Sequence, residues 1–499
     1  MDAILALDAT AQLAALNAGR VSAAELLEMT LRHHEEANGP VNAVVATDFE
    51  RARERARAID DHRAKGDPLG PLAGLPMTIK DTFDVEGLPA SSGREDFRRG
   101  RRPDAVVVSH ARQAGAVIWG KTNTPVMAGD FQTYNALYGT TNNPWDLTRT
   151  SGGSSGGAAA ALASRITALE IGSDIGGSLR TPASFCGVYS HKPTWGVVSQ
   201  IGHVPPRPGA LAERDLNVIG PMARSARDLR LLLSVLEAGA LAARTHAPPE
   251  VGSLRIGLWL GQPELALDPE VQTVLEAFGA QLRREGADVT PITSPVAVDA
   301  LLAAYRTLLA ALLAQDMPSA QLNAMQRIRG PARLAQKLGA GRDSWAGLAL
   351  DYTASHLDWL AADEARARIG AQLRGVFSKF DVILAPINPV AAFPHDHRPF
   401  QRRTLSLSDG GKVPYLAMLG WIALATACGL PATAIPAGQT PITEKGGGLP
   451  VGAQLIGPRG ADARTIAIAE AIEERLGGFT APPAPKLNTP TPPVQAATS

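Results

Sequence analysis

"TSGGSSGGAAAA" fills Thr150–Ala161, and "GSDIGGSLR" follows a little further on at Gly172–Arg180. By composition alone, a Gly/Ser tract is a flexible linker. A phosphate loop would end in Gly-Lys-Ser/Thr, but Gly157 is followed by Ala158 and Ala159. A nucleophile elbow, G-x-S-x-G, fits formally around Ser154 or Ser155. That motif needs a strand directly before it, and "NNPWDLTRT" (142–150) reads as loop. A third reading joins the two stretches. Gly176 and Gly177 can turn successive N–H groups into one concavity. Ser178 beside them would then have what acyl transfer requires, an attacking oxygen and a place for the oxyanion.

A serine nucleophile needs a base. The ten histidines include His33-His34, His191, His203, His395 and His397, none in a recognisable catalytic context. A lysine serves if burial lowers its pKa from about 10.4 towards 7–8. Lys80, at the end of the apolar run "GLPMTIKD" (74–81), is the best candidate. Lys121 and Lys192 sit at similar turns and read as structural or pocket-lining groups.

Outward from these stretches the chain alternates. "LPMTIKD" (75–81), "GAVIWGK" (115–121) and "VGSLRIGLWL" (251–260) read as strands, while "DAVVVSHARQAG" (104–115) and "PEVQTVLEAFGAQLRREGADV" (269–289) read as helices. This alternation predicts an α/β architecture around a mixed sheet. Near the start, Ser22 and Glu25 form a capping-box pattern ahead of Leu26, Leu27, Met29, Thr30 and Leu31, and Asn38-Gly39-Pro40 is expected to stop that helix. The charged run at 48–65 is expected to be a solvated helix. Residues 296–376 read as nearly all helix, either a lid over a site or extra cover for the core. Val413–Gly438 carries no charge, but Pro414, Pro431 and Pro436 favour a buried helix followed by a buried strand over a membrane span.

Composition narrows the classes. Lys+Arg and Asp+Glu both number 48, so no basic excess suggests nucleic acid. Two cysteines, Cys186 and Cys428, exclude a disulfide framework and a four-cysteine zinc site. With no basic residue before Arg20, the amino end lacks a secretory pattern, and a cytoplasmic location is expected. The proline-rich tail, 481–499, is expected to be disordered.

Together, "GLPMTIKD", "GGSSGG" (152–157) and "LEIGSDIGGSLRTPASFCGVYSHKPT" (169–194) resemble the amidase signature family, with Ser154 and Ser178 at the family's interval. Weaker agreement runs from 22–45 to 449–462, so the resemblance covers nearly the whole chain. It implies a mixed β-sheet core with helices on both faces, one amidase domain over 1–480 and a catalytic core at about 65–235. It also implies a Ser-cisSer-Lys triad: Ser178 as nucleophile, Ser154 after a cis bond from Gly153, and Lys80 as ultimate base. The N–H groups of Ile175, Gly176, Gly177 and Ser178 would hold the oxyanion, and Met127, Ala128, Gly129 and Asp130 would line the acyl pocket. Asp174 and Arg180 would brace the loop, Cys186 would pack behind it, and Asp81 would be turned from Lys80 or held by backbone donors. Thr426 stands where relatives often carry Asn, a difference that bears on packing or substrate choice.

The expected activity is hydrolysis of small, largely apolar amides, with anilides, carbamates (urethanes) and esters as further substrates. The expected enzyme is a monomer or homodimer without metal or cofactor, and without nucleic acid or a membrane span. The alternatives are a glutaminase subunit of a tRNA-dependent amidotransferase and a histidine-based serine esterase.

Overall fold

The structure is a computed structural model; it describes residues 3–98, 102–238, 246–341, 344–442 and 448–483. The tail expected to be disordered lies outside the described residues from 484 onward. An eleven-stranded mixed sheet runs through the molecule. Its spatial order is Val44–Thr47, Val117–Thr122, Pro76–Lys80, Leu169–Asp174, Val218–Ala223, Tyr189–Lys192, Ala432–Gln439, Pro450–Ile456, Val382–Pro386, Arg255–Leu258 and Asp288–Pro291. Parallel pairs lie near both ends, and antiparallel pairs fill the middle.

Alternate side chains leave a strand on opposite faces, and here they feed two apolar cores. Val382 and Leu384 join one core, while Ile383 and Ala385 join the other. The same alternation positions the site. Met77 and Ile79 enter the first core, so Thr78 and Lys80 leave from the opposite face. Pro76–Lys80 pairs in parallel with Leu169–Asp174, Thr78 opposite Glu170 and Ile79 opposite Ile171. Their carboxyl ends therefore emerge together, where open α/β sheets bind ligands.

Beside those ends lies the wholly buried helix Gly156–Ala163, built from the alanine run. The segment before it is no flexible linker. Ser151, Gly152, Gly153, Ser154 and Ser155 are all buried. The Gly153–Ser154 peptide bond is cis, as the resemblance implies. A Cβ at Gly153 would run into the Asp130 carbonyl, so the two backbones meet only because that residue is glycine.

Several expectations need correction. "NNPWDLTRT" is not loop: Asn142–Asn143 pairs with Asp146–Thr150 as a small hairpin outside the main sheet. The first long helix, Ala23–Val41, has the predicted capping box but runs through Pro40. It stops at Asn42 (φ 53), because the Asn38 side chain takes the N–H groups of Ala43 and Val44 and closes the turn there. The charged helix Phe49–Lys65 is not wholly solvated; Ala52, Ala56 and Ile59 form a buried stripe at helical spacing. The helix predicted over 269–289 ends at Arg284, and Asp288–Pro291 is a strand. The 251–260 run contributes only Arg255–Leu258 as strand.

The 296–376 region is helical, with Val298–Leu313, Ser319–Arg327, Arg329–Lys337, Trp345–Tyr352 and His356–Phe377. Among the described residues, Val298–Asp316 is the one helical stretch long and apolar enough to cross a bilayer by length and composition. Its residues Leu301, Ala304, Tyr305 and Leu308 instead face the second core at helical spacing. The uncharged Val413–Gly438 becomes a 3-10 turn at Tyr415–Leu419, a buried helix at Ala423–Ala427 and the strand Ala432–Gln439.

Arg180 ties these parts together. Its buried guanidinium donates to both carboxylate oxygens of Asp174 at 3.0 and 3.1 Å, to Thr426 Oγ1 at 2.7 Å, to Gln454 Oε1 at 2.9 Å and to the Ile422 carbonyl at 3.2 Å. Thr426, the departure seen in the sequence, is thus a packing partner of Arg180. Removing one member of a buried pair strands the other charge. Arg180→Met should therefore lower the free energy of unfolding by about 3–5 kcal/mol in urea titration.

Candidate active site

The site is built from three segments: the end of Pro76–Lys80, the bend before Gly156–Ala163, and the turn after Leu169–Asp174. Lys80 Nζ lies 2.7 Å from Ser154 Oγ, 3.0 Å from Ser155 Oγ and 3.0 Å from Ser173 Oγ. Exposure orders the groups from outside inward: Ser178 keeps 6% of its surface accessible, Ser154 1% and Lys80 none. Ser178 lines a cavity of about 340 Å³, while Ser154 and Lys80 stand behind it.

Burial pushes the Lys80 amine down to about 7, against the pull of Asp174 and Glu170. Both acids are disarmed. Asp174 is paired with Arg180, and burial raises Glu170 to about 8, which weakens its charge near neutral pH. Asp81 is also turned to other partners, namely Ser91 and the ammonium of Lys121 at 3.5 Å. Lys121 donates to the Phe83 and Pro89 carbonyls at 2.7 and 2.8 Å, a structural role. Lys192 donates to the Pro193 carbonyl at 2.9 Å.

The glycine turn is held from two sides. The Asp174 carboxylate receives the N–H groups of Gly177 at 2.9 Å and Leu179 at 3.1 Å. The Tyr305 hydroxyl donates to the Ile175 carbonyl at 2.9 Å. Gly177, at φ 91, takes a backbone conformation that suits glycine. Its N–H is committed to Asp174, so of the four expected oxyanion donors only Ile175, Gly176 and Ser178 keep N–H groups without an acceptor among the described residues.

The cavity takes its walls from Ala128, Gly129 and Asp130, three of the four expected pocket residues. Met127 does not line it; that residue sits at φ 53 with its N–H on the Ser92 carbonyl. Asp130 is itself engaged, by Arg403 at 2.6 Å and the Tyr415 hydroxyl at 2.7 Å. The helical region adds Leu309, Leu313 and Leu348 together with Arg306 and Asp351, and Phe131 and Leu419 complete a lining that is apolar over most of its wall and charged at Arg306, Asp351 and Asp130. The region expected to be a lid or core cover therefore walls the cavity.

Among the described residues, no histidine hydrogen-bonds Ser154 or Ser178. His191 reaches Thr433 and Asp462, and His33 reaches the Ser164 carbonyl. Nor do the hydroxyls of Ser154 and Ser178 bond to each other; the nearer tie is the Ser155 N–H donating to the Ser178 carbonyl at 3.2 Å. Cys186 packs behind the loop, its thiol 3.5 Å from the Ser151 carbonyl and pushed up by burial. Sequence reasoning missed Ser155, Ser173, Tyr305 and the Asp130 partners. Ser155 and Ser173 lie inside the quoted stretches, but nothing in their spacing separates them from ordinary loop serines.

Known proteins resemble the chain over nearly its whole length. The family described as Amidase matches residues 25–466. A glutamyl-tRNA(Gln) amidotransferase subunit from Salinispora arenicola (strain CNS-205) is 32% identical over 508 residues, covering 95% of this chain and 98% of that protein. A solved amidase superposes with a TM-score of 0.74 at 28% identity, covering 94% of this chain and 100% of that one. A bacterial aryl acylamidase of the amidase signature enzymes gives 0.75 at 26% identity, covering 94% and 96%.

An electrophile entering the cavity meets Ser178 first. Labelling of Ser178 by a fluorophosphonate, followed by mass spectrometry, should accelerate as pH rises through about 7, where Lys80 loses its proton, and level off above. Lys80→Ala should label slowly and without that inflection.

Proposed function

The chain belongs to the amidase family, and on that premise we propose that it hydrolyses small, largely apolar amides through an acyl-enzyme on Ser178. One observation carries this reading: a buried amine 2.7 Å from one serine hydroxyl, behind a second serine that lines an apolar cavity. Neutral Lys80 takes the hydroxyl proton of Ser154, which takes that of Ser178. The Ser178 oxygen then attacks the substrate carbonyl. The transfer requires the two serine hydroxyls to come within hydrogen-bond distance, and catalytic hydrogen bonds commonly tighten only around the reacting substrate. The N–H groups of Ile175, Gly176 and Ser178 receive the oxyanion. On collapse the C–N bond breaks and the leaving amine takes a proton from Ser154, which recovers one from Lys80. Water then releases the acyl group by the same path in reverse.

The lining supports the substrate class. A cavity of about 340 Å³ is at the small end of ligand sites, and Phe131, Leu309, Leu313, Leu348 and Leu419 favour apolar acyl or leaving groups. Anilides, carbamates and esters suit the same chemistry. A second reading, glutaminase within a tRNA-dependent amidotransferase, is favoured by the relatives of that name. Glutamine carries two charges on a short chain, and Arg306, Asp351 and Asp130 put charge in the same wall, so competition by glutamine is the deciding measurement.

A panel of anilides, carbamates, esters and primary amides, with glutamine as competitor, separates the readings. Wild type should cleave apolar amides with little inhibition by glutamine, and Ser178→Ala should lose about 10³-fold or more on every substrate. Lys80→Ala should lose more on amides than on esters, whose leaving group needs less help from a proton. Strong preference for glutamine would move the assignment to the amidotransferase reading.

A further inference from the structure

Behind Lys80 lies a second chain of hydrogen bonds. His203 Nε2 is 2.9 Å from Ser173 Oγ, and His203 Nδ1 is 2.8 Å from the Pro205 carbonyl. The ring is fixed in place. Val204 N–H donates to the Thr82 carbonyl at 2.7 Å, Asp84 N–H donates to the Gly202 carbonyl at 2.9 Å, and the Phe83 ring meets His203 edge-on at 5.0 Å.

A carbonyl only accepts, so Nδ1 must carry the ring hydrogen, and Nε2 of the neutral imidazole is left as an acceptor. Burial, with the amine of Lys80 nearby, pushes His203 down to about 3, so it stays neutral at working pH. Ser173 must then donate its hydroxyl hydrogen to His203, and it offers only lone pairs to Lys80. The Ser155 hydroxyl faces the Ser173 carbonyl at 3.4 Å, a long contact beside its 3.0 Å distance to Lys80. A neutral amine has two N–H bonds and one lone pair. The two N–H bonds fall to Ser155 and Ser173, at 3.0 Å each. The lone pair is left for Ser154, the nearest of the three at 2.7 Å.

We propose that His203 is a positioning residue for proton transfer: by holding the Ser173 hydrogen, it keeps Ser173 from competing with Ser154, the nearest serine, as the donor to Lys80. This rests on the relay of the preceding subsection. Without the acceptor at Nε2, Ser173 can turn its hydrogen into the Lys80 lone pair and displace Ser154, giving an unproductive bond at the same amine.

The test is steady-state amide hydrolysis by wild type, His203→Phe, His203→Gln, Ser173→Ala, the double variant His203→Phe/Ser173→Ala, and Lys80→Ala, each checked for folding by thermal melt. His203→Phe should lower kcat about tenfold or more, with KM within about twofold. His203→Gln, whose amide oxygen can accept in place of Nε2, should recover most of the rate. The double variant should be no slower than Ser173→Ala, because no hydroxyl is left to misdirect. Three results would overturn the assignment: an unchanged kcat in His203→Phe, losses that multiply in the double variant, or a folded His203→Gln slower than wild type by more than about tenfold. The last applies even if His203→Phe does not fold. Full activity in Lys80→Ala would instead bring down the relay itself, and His203 with it.

Discussion

The proposed relay depends on one constraint: an amine must be held where water cannot keep it protonated. An exposed lysine binds its proton some three pH units too tightly to act as a base at neutrality. Here full burial removes that hydration and outweighs the nearby carboxylates, each of which has another partner or is itself pushed up by burial. Asp174 is spent on Arg180, Asp81 on Lys121 and Ser91, and Glu170 is pushed up to about 8 by burial. What remains around Lys80 is three hydroxyl groups. They can satisfy the amine in either protonation state, which lets one group both accept and return a proton.

The fold supplies the location. Two neighbouring parallel strands end together, and the buried alanine helix brings Ser154 to the same place. Arg180 then fixes the turn that carries Ser178 by binding groups from well-separated parts of the chain. The same residues serve stability and chemistry, which explains why so much of the site is polar yet inaccessible.

Much of this was legible in the sequence. Lys80 stood out because a charge at the end of an apolar strand is hard to explain as surface, and the two serines stood out by their glycines. The α/β alternation and the helical region at 296–376 followed from periodicity. What was hidden has physical reasons. The commitment of the Gly177 N–H to Asp174 is a matter of where a carboxylate points, which spacing does not reveal. Asn38 ends the first long helix just beyond Pro40 through a side-chain clasp that propensity does not record. His203 looked like any buried histidine, because its relation to Lys80 passes through Ser173, and only the tertiary fold brings the three together.

Tyr305 joins the helical region to the glycine turn through a single hydroxyl on the Ile175 carbonyl. A peptide unit is planar, with its C=O and the following N–H pointing in opposite directions. Holding the Ile175 oxygen therefore also aims the Gly176 hydrogen. The helix that shapes the pocket and the amide that would steady the reacting oxygen are one mechanical unit. Exchanging this helical segment for that of another enzyme, to alter selectivity, would consequently alter turnover as well, unless the incoming helix brought an equivalent phenol.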